Sequence, residues 1–389
     1  MNNSIYLDHA ATTPLRPEVL QAMEPFLAGN FANPSSIYRP AQEARSALDR
    51  ARDVIAGALG AKPQEMIFTG SGTEANNAAI KGVALASRER GRHIVTCAIE
   101  HHAVLHPIEE LVERFGFQST IVPVDEYGLL DLAALRAAVR DDTVLVSVMW
   151  ANNEIGTVQP VAEIAALTKA RGIPFHVDAV QAAGILAIDL ADVPIDLLSI
   201  SAHKFYGPKG VGALFVRSGT PWWPLITGGG QERNRRAGTE NVAGIVGMAR
   251  ALELRMRERL SAYEDARTLR DYLFEQIPAR IPGTRINGHR DLRLPHNANF
   301  SFEGVHGESL LVALDVAGIM ASSGSACASG STEPSHVLQA LGVPNAVAQG
   351  SLRLTVGRDN TREQMERAVE VLAGIVGRLR RLSPVAGPA

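Results

Sequence analysis

From about residue 40 to residue 260, short apolar runs with β-branched character alternate with longer amphipathic stretches, and this alternation constrains the fold more than any other feature. Seven runs stand out: MIFTG (66–70), HIVTCAI (93–99), STIVPV (119–124), TVLVSVMW (143–150), IPFHVDA (173–179), DLLSISA (196–202) and VGALFV (211–216). Helical segments such as 41–60, 130–140 and 161–172 separate most of them. In the first of these, Leu48, Ile55 and Leu59 share one face, and Gly60 with Pro63 beyond it marks the stop. Buried strands joined by helices predict a largely parallel sheet covered on both faces. The last connection, HKFYGPKG (203–210), is too short for a helical crossover, so the seventh strand is expected to run antiparallel to the sixth.

After about residue 245 the texture changes. A long charged helix (249–277) leads into a second α/β region that ends near residue 382. The expected division is a large domain, 16–259, and a smaller domain made of 1–15 with 260–389. The smaller domain carries a mobile loop at about 321–333. A net charge of −3 without a basic stripe excludes a nucleic-acid surface. No apolar stretch reaches spanning length, and no signal peptide is visible at the start, so no membrane role and a cytoplasmic location are expected. Two cysteines, Cys97 and Cys327, make no disulfide framework and no CxxC metal pair.

In open α/β sheets reactive groups collect at the carboxyl ends of the strands. The strand ending at Gly70 runs into SGTEANN. Ser71 and Glu74 fit a capping box there, while Gly72 and Thr73 can offer backbone N–H groups and a hydroxyl to a phosphate. Asp178 ends another strand with Gln181 beyond it, and the next strand ends in Ser201, His203 and Lys204. Asp178 could simply cap a helix, but a lysine closing a buried strand is costly unless it has work to do. A carboxylate and a lysine on neighbouring strand ends suit a pyridoxal phosphate site. The amine condenses with the cofactor aldehyde, and the carboxylate keeps the pyridine nitrogen protonated. Of His101 and His102, adjacent on a strand end, at most one can serve the site, stacked on a ring and acting as acid or base. No third residue is spaced to make them a zinc site. Asn152 and Asn153 are turn residues or site residues. Arg236 and Thr239, in a glycine-rich stretch, fit a second phosphate contact or a surface loop. Arg353, inside an apolar run, fits a carboxylate clamp or an ordinary ion pair. Cys97 reads as a buried, inert strand residue. Cys327 sits in SSGSACASGS, a stretch with too much glycine and too little apolar surface for a regular element.

Taken together, YLDHAATTP, NPSS, GSGTEANN, EHHAV, NNEIG, HVDAVQ, SAHKFYGPKG, RRAGTEN, SSGSACASGS and LRLTVGR resemble the cysteine desulfurases of the NifS/IscS type, within the class V aminotransferase family. The resemblance covers nearly the whole chain. It implies a type I pyridoxal phosphate-dependent transferase fold, a homodimer, and conversion of L-cysteine to L-alanine with the sulfur left as an enzyme persulfide. By position, Lys204 matches the cofactor-linking lysine, Asp178 the partner of the pyridine nitrogen, and Gln181 the residue at the ring hydroxyl. His101 matches the histidine stacked on the ring. Gly72, Thr73, Ser201 and His203 fall in the phosphate cradle, and Thr239 matches the contact that crosses from the partner subunit. Asn153 lies beside the cofactor, and Asn33 and Arg353 match substrate-binding positions. Cys327 matches the sulfur acceptor, on a loop of the family's long type, with Ala328 where threonine is common. A persulfide must travel from the cavity to an acceptor, such as an iron–sulfur scaffold, and a Ser/Gly/Ala loop allows that travel. The resemblance implies no permanent metal, with Cys327 as a transient iron–sulfur ligand shared with a scaffold. An aminotransferase, another β-elimination lyase or a non-catalytic assembly scaffold are the competing readings. The first two could share Lys204 and Asp178 without needing a mobile cysteine.

Overall fold

The computed structural model describes residues 4–323 and 334–382. Twelve strands appear in chain order: β1 (Ile5–Tyr6), β2 (Met66–Thr69), β3 (His93–Cys97), β4 (Gln118–Val122), β5 (Thr143–Ser147), β6 (Phe175–Asp178), β7 (Leu197–Ser201), β8 (Gly212–Val216), β9 (Thr284–Ile286), β10 (Asn297–Phe302), β11 (Ile319–Met320) and β12 (Ser351–Thr355). The seven runs of the sequence, β2–β8, form one sheet in the order β2-β8-β7-β6-β5-β3-β4. Within it β8 alone is reversed, antiparallel to both β7 and β2, as the short 203–210 connection requires. The other neighbours pair in parallel.

Alternate side chains go to opposite faces. Ile67, Ile94, Leu145, Leu197 and Leu214 pack on one side with α3 (Gly72–Ala86) and α4 (His102–Phe115), which follow α1 (Pro17–Glu24) and α2 (Arg39–Ala58) in the chain. Phe68, Val95, Val146, Val177, Leu198 and Ile200 pack on the other with Leu48, Ile55 and Leu59 of the helix Arg39–Ala58 and its following turn. Gly60 takes φ +66, the left-handed conformation in which a side chain would be strained, and so ends that helix.

A second core gathers Ile5, Leu7, Phe274, Phe300, Leu352, Leu372 and their neighbours around the sheet β12-β10-β9 and the last helix, Arg362–Leu382. The 39-residue helix Val242–Arg280 joins the cores: its residues 243–255 bury into the first and Tyr272–Ile277 into the second. At 1.5 Å per residue it is about 58 Å long. Val337, Leu338 and Leu341 pack with the first core. No helix among the described residues is long and apolar enough to cross a membrane.

Candidate active site

Because β3, β5, β6 and β7 are parallel, their carboxyl ends share one edge of the sheet, and a cavity of about 330 Å³ opens there. The start of α3 forms one end. Ser71 caps it by accepting from the Glu74 N–H at 3.0 Å. The Glu74 carboxylate reaches past the capping-box position to the Gly70 N–H at 2.7 Å and pairs with Arg236 at 2.9 Å. Gly72 and Thr73, in the first turn, line the cavity with Ser201 and His203. A Cβ on Gly72 would come within 2.8 Å of Val180 and 3.1 Å of Ser201, so only glycine lets this turn sit against the neighbouring strand ends. His203 meets Thr12 Oγ1 at 3.2 Å, and burial, with Lys204 and Lys209 nearby, brings its pKa down to about 4. This end offers helix N-terminal amides and hydroxyls, with Glu74 engaged by Gly70 and Arg236 and not lining the cavity, a cradle for an anion.

Asp178 stands at the end of β6, 6% exposed. One of its oxygens accepts from the Val180 N–H at 2.9 Å, the helix-cap-like bond that its position allows. The other accepts from Asn76 Nδ2 at 2.7 Å. Asn76, on the buried side of α3 one turn after Thr73, is 1% exposed and went unnoticed in the sequence; an asparagine amid the buried alanines of ANNAAI was the available signal. Lys204, in the turn after β7, donates to the carbonyls of Ala10 and Ala11 at 2.6 and 2.8 Å. Gln181 Nε2 donates to the same Ala10 carbonyl at 3.0 Å. The backbone of the N-terminal segment is therefore a wall of the site, which side-chain reading could not reveal.

His101 caps α4, with Nδ1 accepting from the Ala103 N–H at 3.0 Å. That bond requires a lone pair on Nδ1, so the neutral ring carries its proton on Nε2. Burial, helped by Lys204 and opposed by Asp178, lowers its pKa from 6.5. His101 lines the cavity, whereas the ring of His102 packs on His106 and His336 at 4.8 and 4.9 Å. Among the described residues no group of three or more His, Cys, Asp or Glu is placed to hold a metal. Just before His101, Glu100 is fully buried; one oxygen accepts from the Met149 N–H at 2.7 Å, the other has no partner among the described residues, and burial raises its pKa well above 4.5. Sequence reading missed it as well.

The pair Asn152 and Asn153 divides its work. Asn152 is fully buried and holds the turn, donating to the Ile99 carbonyl and accepting from the N–H groups of Glu154 and Ile155, while Asn153 lines the cavity. Arg353, on β12, also lines it at 2% exposure. It makes an ion pair with Asp8 at 2.7 Å and donates to the Asn153 carbonyl at 2.8 Å; its Nε is buried without a partner among the described residues.

Two expected residues are not in this cavity. Thr239 is exposed, and Asn33 is exposed with its Oδ1 accepting from the Ser35 N–H at 2.9 Å. Cys327 lies outside the described residues, as does 324–333 of the expected loop. The chain on both sides of that segment is tied to residues of the cavity lining or their sequence neighbours: Ser322 pairs through its backbone with Arg353, Ser335 donates to Glu154, next to Asn153, at 2.5 Å, and His336 to the carbonyl of Glu100, next to His101, at 3.0 Å. Cys97 is fully buried on β3, and burial, with Glu100 nearby, pushes its thiol pKa up, which suppresses the thiolate.

Comparison with known proteins agrees with this geometry. The protein is 52% identical over 384 residues to the cysteine desulfurase IscS of Dictyoglomus turgidum, covering 99% of this chain and 97% of that one. It is equally 52% identical to the cysteine desulfurase IscS of Methanosarcina thermophila, over 99% and 95% of the two chains. Among solved structures, a NifS-like protein superposes with a TM-score of 0.91 at 38% identity, over 97% of this chain and 100% of that one. A structure of SspA in complex with cysteine superposes with a TM-score of 0.81 at 37% identity, over 91% and 99%. The family pattern of the class-V aminotransferases matches residues 5–368, and to that family the chain belongs.

Proposed function

We propose that the protein is a pyridoxal 5′-phosphate-dependent cysteine desulfurase that converts L-cysteine to L-alanine and receives the sulfur on Cys327 as a persulfide. The observation that carries this reading is the meeting of Lys204, Asp178 and His101 in one cavity, with the chain on both sides of the Cys327 segment bonded to residues that line it or adjoin its lining in sequence. The residues fit the cofactor at both ends. Amides and hydroxyls suit the phosphate, and a buried carboxylate fixed by Asn76 suits a protonated ring nitrogen.

In this reading Gly72, Thr73, Ser201 and His203 hold the phosphate, Asp178 the pyridine nitrogen and Gln181 the ring hydroxyl, with Asn153 beside the ring and His101 against it. Thr239, exposed on its own subunit, reaches the phosphate of the partner subunit in a homodimer. When bound, the cofactor supplies an electrophilic carbon for the substrate amine and a ring that accepts electrons from the substrate Cα. Lys204 holds the cofactor at rest, and its freed amine takes the Cα proton. Arg353, which lines the cavity, receives the substrate carboxylate, with Asn33 assisting. Cys327, as thiolate, attacks the substrate sulfur: the S–S bond forms as the C–S bond breaks, and the bonding pair stays with the carbon that becomes the alanine methyl. His101, neutral with its proton on Nε2, exchanges protons at the substrate. The persulfide then passes to an iron–sulfur scaffold or another sulfur-acceptor protein, and the cytoplasm is the compartment that suits this chemistry.

The test is L-alanine formation by the purified, cofactor-loaded protein from L-cysteine and a thiol reductant, with no keto acid present. Repeated turnover with stoichiometric sulfide is expected, and Cys327→Ser is expected to abolish sulfide while retaining the cofactor. No alanine from protein with cofactor bound would move the assignment to an aminotransferase or a lyase with another substrate. Thiol titration gives a second check: one thiol should react in the native protein and two after unfolding, since Cys97 is buried.

A further inference from the structure

The N–H groups along a strand point alternately to its two neighbours. At the end of β5, Val146, Val148 and Trp150 donate to the carbonyls of Pro174, His176 and Asp178, on the β6 side, at 3.1, 3.1 and 2.9 Å. Met149, between the last two, therefore turns its N–H towards β3, whose pairing with β5 stops at Thr96 opposite Ser147. The Glu100 carboxyl fills that gap, accepting from the Met149 N–H at 2.7 Å. The bond ties Met149 to the residue just before His101, and both Met149 and His101 line the cavity. Two more bonds hold the same short stretch: the Ile99 carbonyl accepts from Asn152 Nδ2 at 2.8 Å, and the Glu100 carbonyl from His336 at 3.0 Å.

A carboxyl is a costly group to place here. Glu100 is fully buried, and its second oxygen has no partner among the described residues. The titratable groups facing it are Asp178, which repels a second negative charge, and the Cys97 thiol, itself held protonated by burial. One backbone N–H does not offset the cost of taking a carboxylate out of water. Burial, opposed by the Met149 bond and helped by Asp178, raises the pKa of Glu100 well above 4.5. An uncharged carboxyl still accepts from Met149, needs no counter-ion, and adds no charge beside Asp178.

We propose that Glu100 is a positioning residue for His101: as an uncharged carboxyl it braces the end of β3 against the end of β5 and so sets where the imidazole stands in the cavity. The catalytic consequence rests on the cysteine desulfurase reading of this cavity; the brace itself does not. His101 stands on a stretch that has already left the sheet, and a displacement of about 1 Å at a reacting group can cost about 100-fold in rate.

The experiment uses the full-length, cofactor-loaded chain in three variants. Glu100→Gln keeps an uncharged acceptor for the Met149 N–H, Glu100→Leu keeps the bulk and removes the acceptor, and His101→Ala removes the ring. Infrared difference spectra at neutral pH should show the band of a protonated carboxyl lost in Glu100→Gln. The imidazole proton resonance of His101, identified by its absence in His101→Ala, should hold its place in Glu100→Gln and move in Glu100→Leu. The kcat for L-alanine should fall at least tenfold in Glu100→Leu with little change in KM, and less than twofold when the same change is made in His101→Ala, since a residue that acts through the ring has nothing left to position. No carboxyl band lost, an unmoved resonance in Glu100→Leu, or an equal fall of kcat with and without His101 would each overturn the proposal. If Glu100→Leu does not fold, the infrared band and the resonance in Glu100→Gln decide it, a missing band or a displaced resonance refuting the uncharged brace. A chain that makes no alanine sinks the desulfurase reading, while the infrared and resonance measurements, which need no turnover, still judge the brace.

Discussion

Asn76 offers the sharpest test of how the cavity holds a charged ring. Its amide donates to Asp178 at 2.7 Å with both side chains nearly fully buried, 1% and 6% exposed. In Asn76→Ala the empty cavity can admit water to replace that donor, but a bound cofactor ring excludes the water. The loss therefore falls on the loaded state. A hydrogen bond to a charged group contributes about 1.5–3 kcal/mol, so cofactor affinity should fall about 10- to 150-fold, at 1.4 kcal/mol per tenfold. Asn76→Asp should do worse, because two carboxylates at that distance cannot both be ionised, and the shared proton removes the charge that Asp178 presents to the ring nitrogen. The assay is equilibrium titration of the apo-protein with pyridoxal 5′-phosphate, followed by absorbance, with thermal midpoints of the apo-forms as the folding control. A folded Asn76→Ala protein that binds the cofactor within twofold of the unsubstituted chain would refute the reasoning.

Two further substitutions probe the frame around the site. Glu232 accepts from Arg52 at 2.6 and 2.8 Å and from the Phe68 N–H at 2.9 Å, and so pins a turn in which Glu232, Arg233 and Asn234 all have positive φ, 45, 59 and 63°. Glu232→Gln leaves the Arg52 guanidinium buried without its counter-charge and should cost about 3–5 kcal/mol in denaturant unfolding; a loss under about 1 kcal/mol would show that the turn stands without the pair. His176 is fully buried between the hydroxyls of Ser147 and Ser199, and burial lowers its pKa from 6.5 to about 3. The folded chain then holds fewer protons than the unfolded chain between those values, so stability is lost as pH falls through that window. The slope is about 1.4 kcal/mol per pH unit for one such group. His176→Gln should flatten the curve between pH 6.5 and 4.5 by up to one proton, and an unchanged slope would mean that this ring already charges in the folded state.

The large sheet was legible because its strands carry apolar residues on both faces and its connections are long enough to be helices. The reversal of β8 followed from the length of 203–210, but its place between β7 and β2 did not, since a short connection names one neighbour and leaves the other open. The sheet of the second core was harder to read. In β10, NANFSF alternates polar and apolar residues, the usual pattern of a strand with one wet face. Here the polar face is buried too. Asn297 and Asn299 donate to the Glu154 carbonyl at 3.2 and 3.0 Å, and Asn287 donates to Asn299 and Ser301, both at 2.8 Å. A one-dimensional pattern cannot tell a face that meets water from one that meets the backbone of a turn.

The same distinction separates the site residues that were read from those that were missed. Lys204, Asp178 and His101 announce themselves because a charged or titratable group at the end of a buried strand needs a reason to be there. Asn76 sits in the middle of a helix, and its role is visible only in what it touches. The Ala10 and Ala11 carbonyls have no side-chain signature at all, yet they hold the lysine, and Gln181 shares one of them. Their position depends on the segment 5–13 running from the second core to the turn after β7: Ile5 and Tyr6 pair with β11, the Thr355 hydroxyl holds the Ala10 N–H, and Thr13 bonds to the His203 carbonyl through both its backbone N–H and its hydroxyl. A change on the second-core side, such as Thr355→Val, removes the hydroxyl that holds Ala10 without touching the cavity lining. If the wall is positioned from that side, the effect of such a change must appear at Lys204.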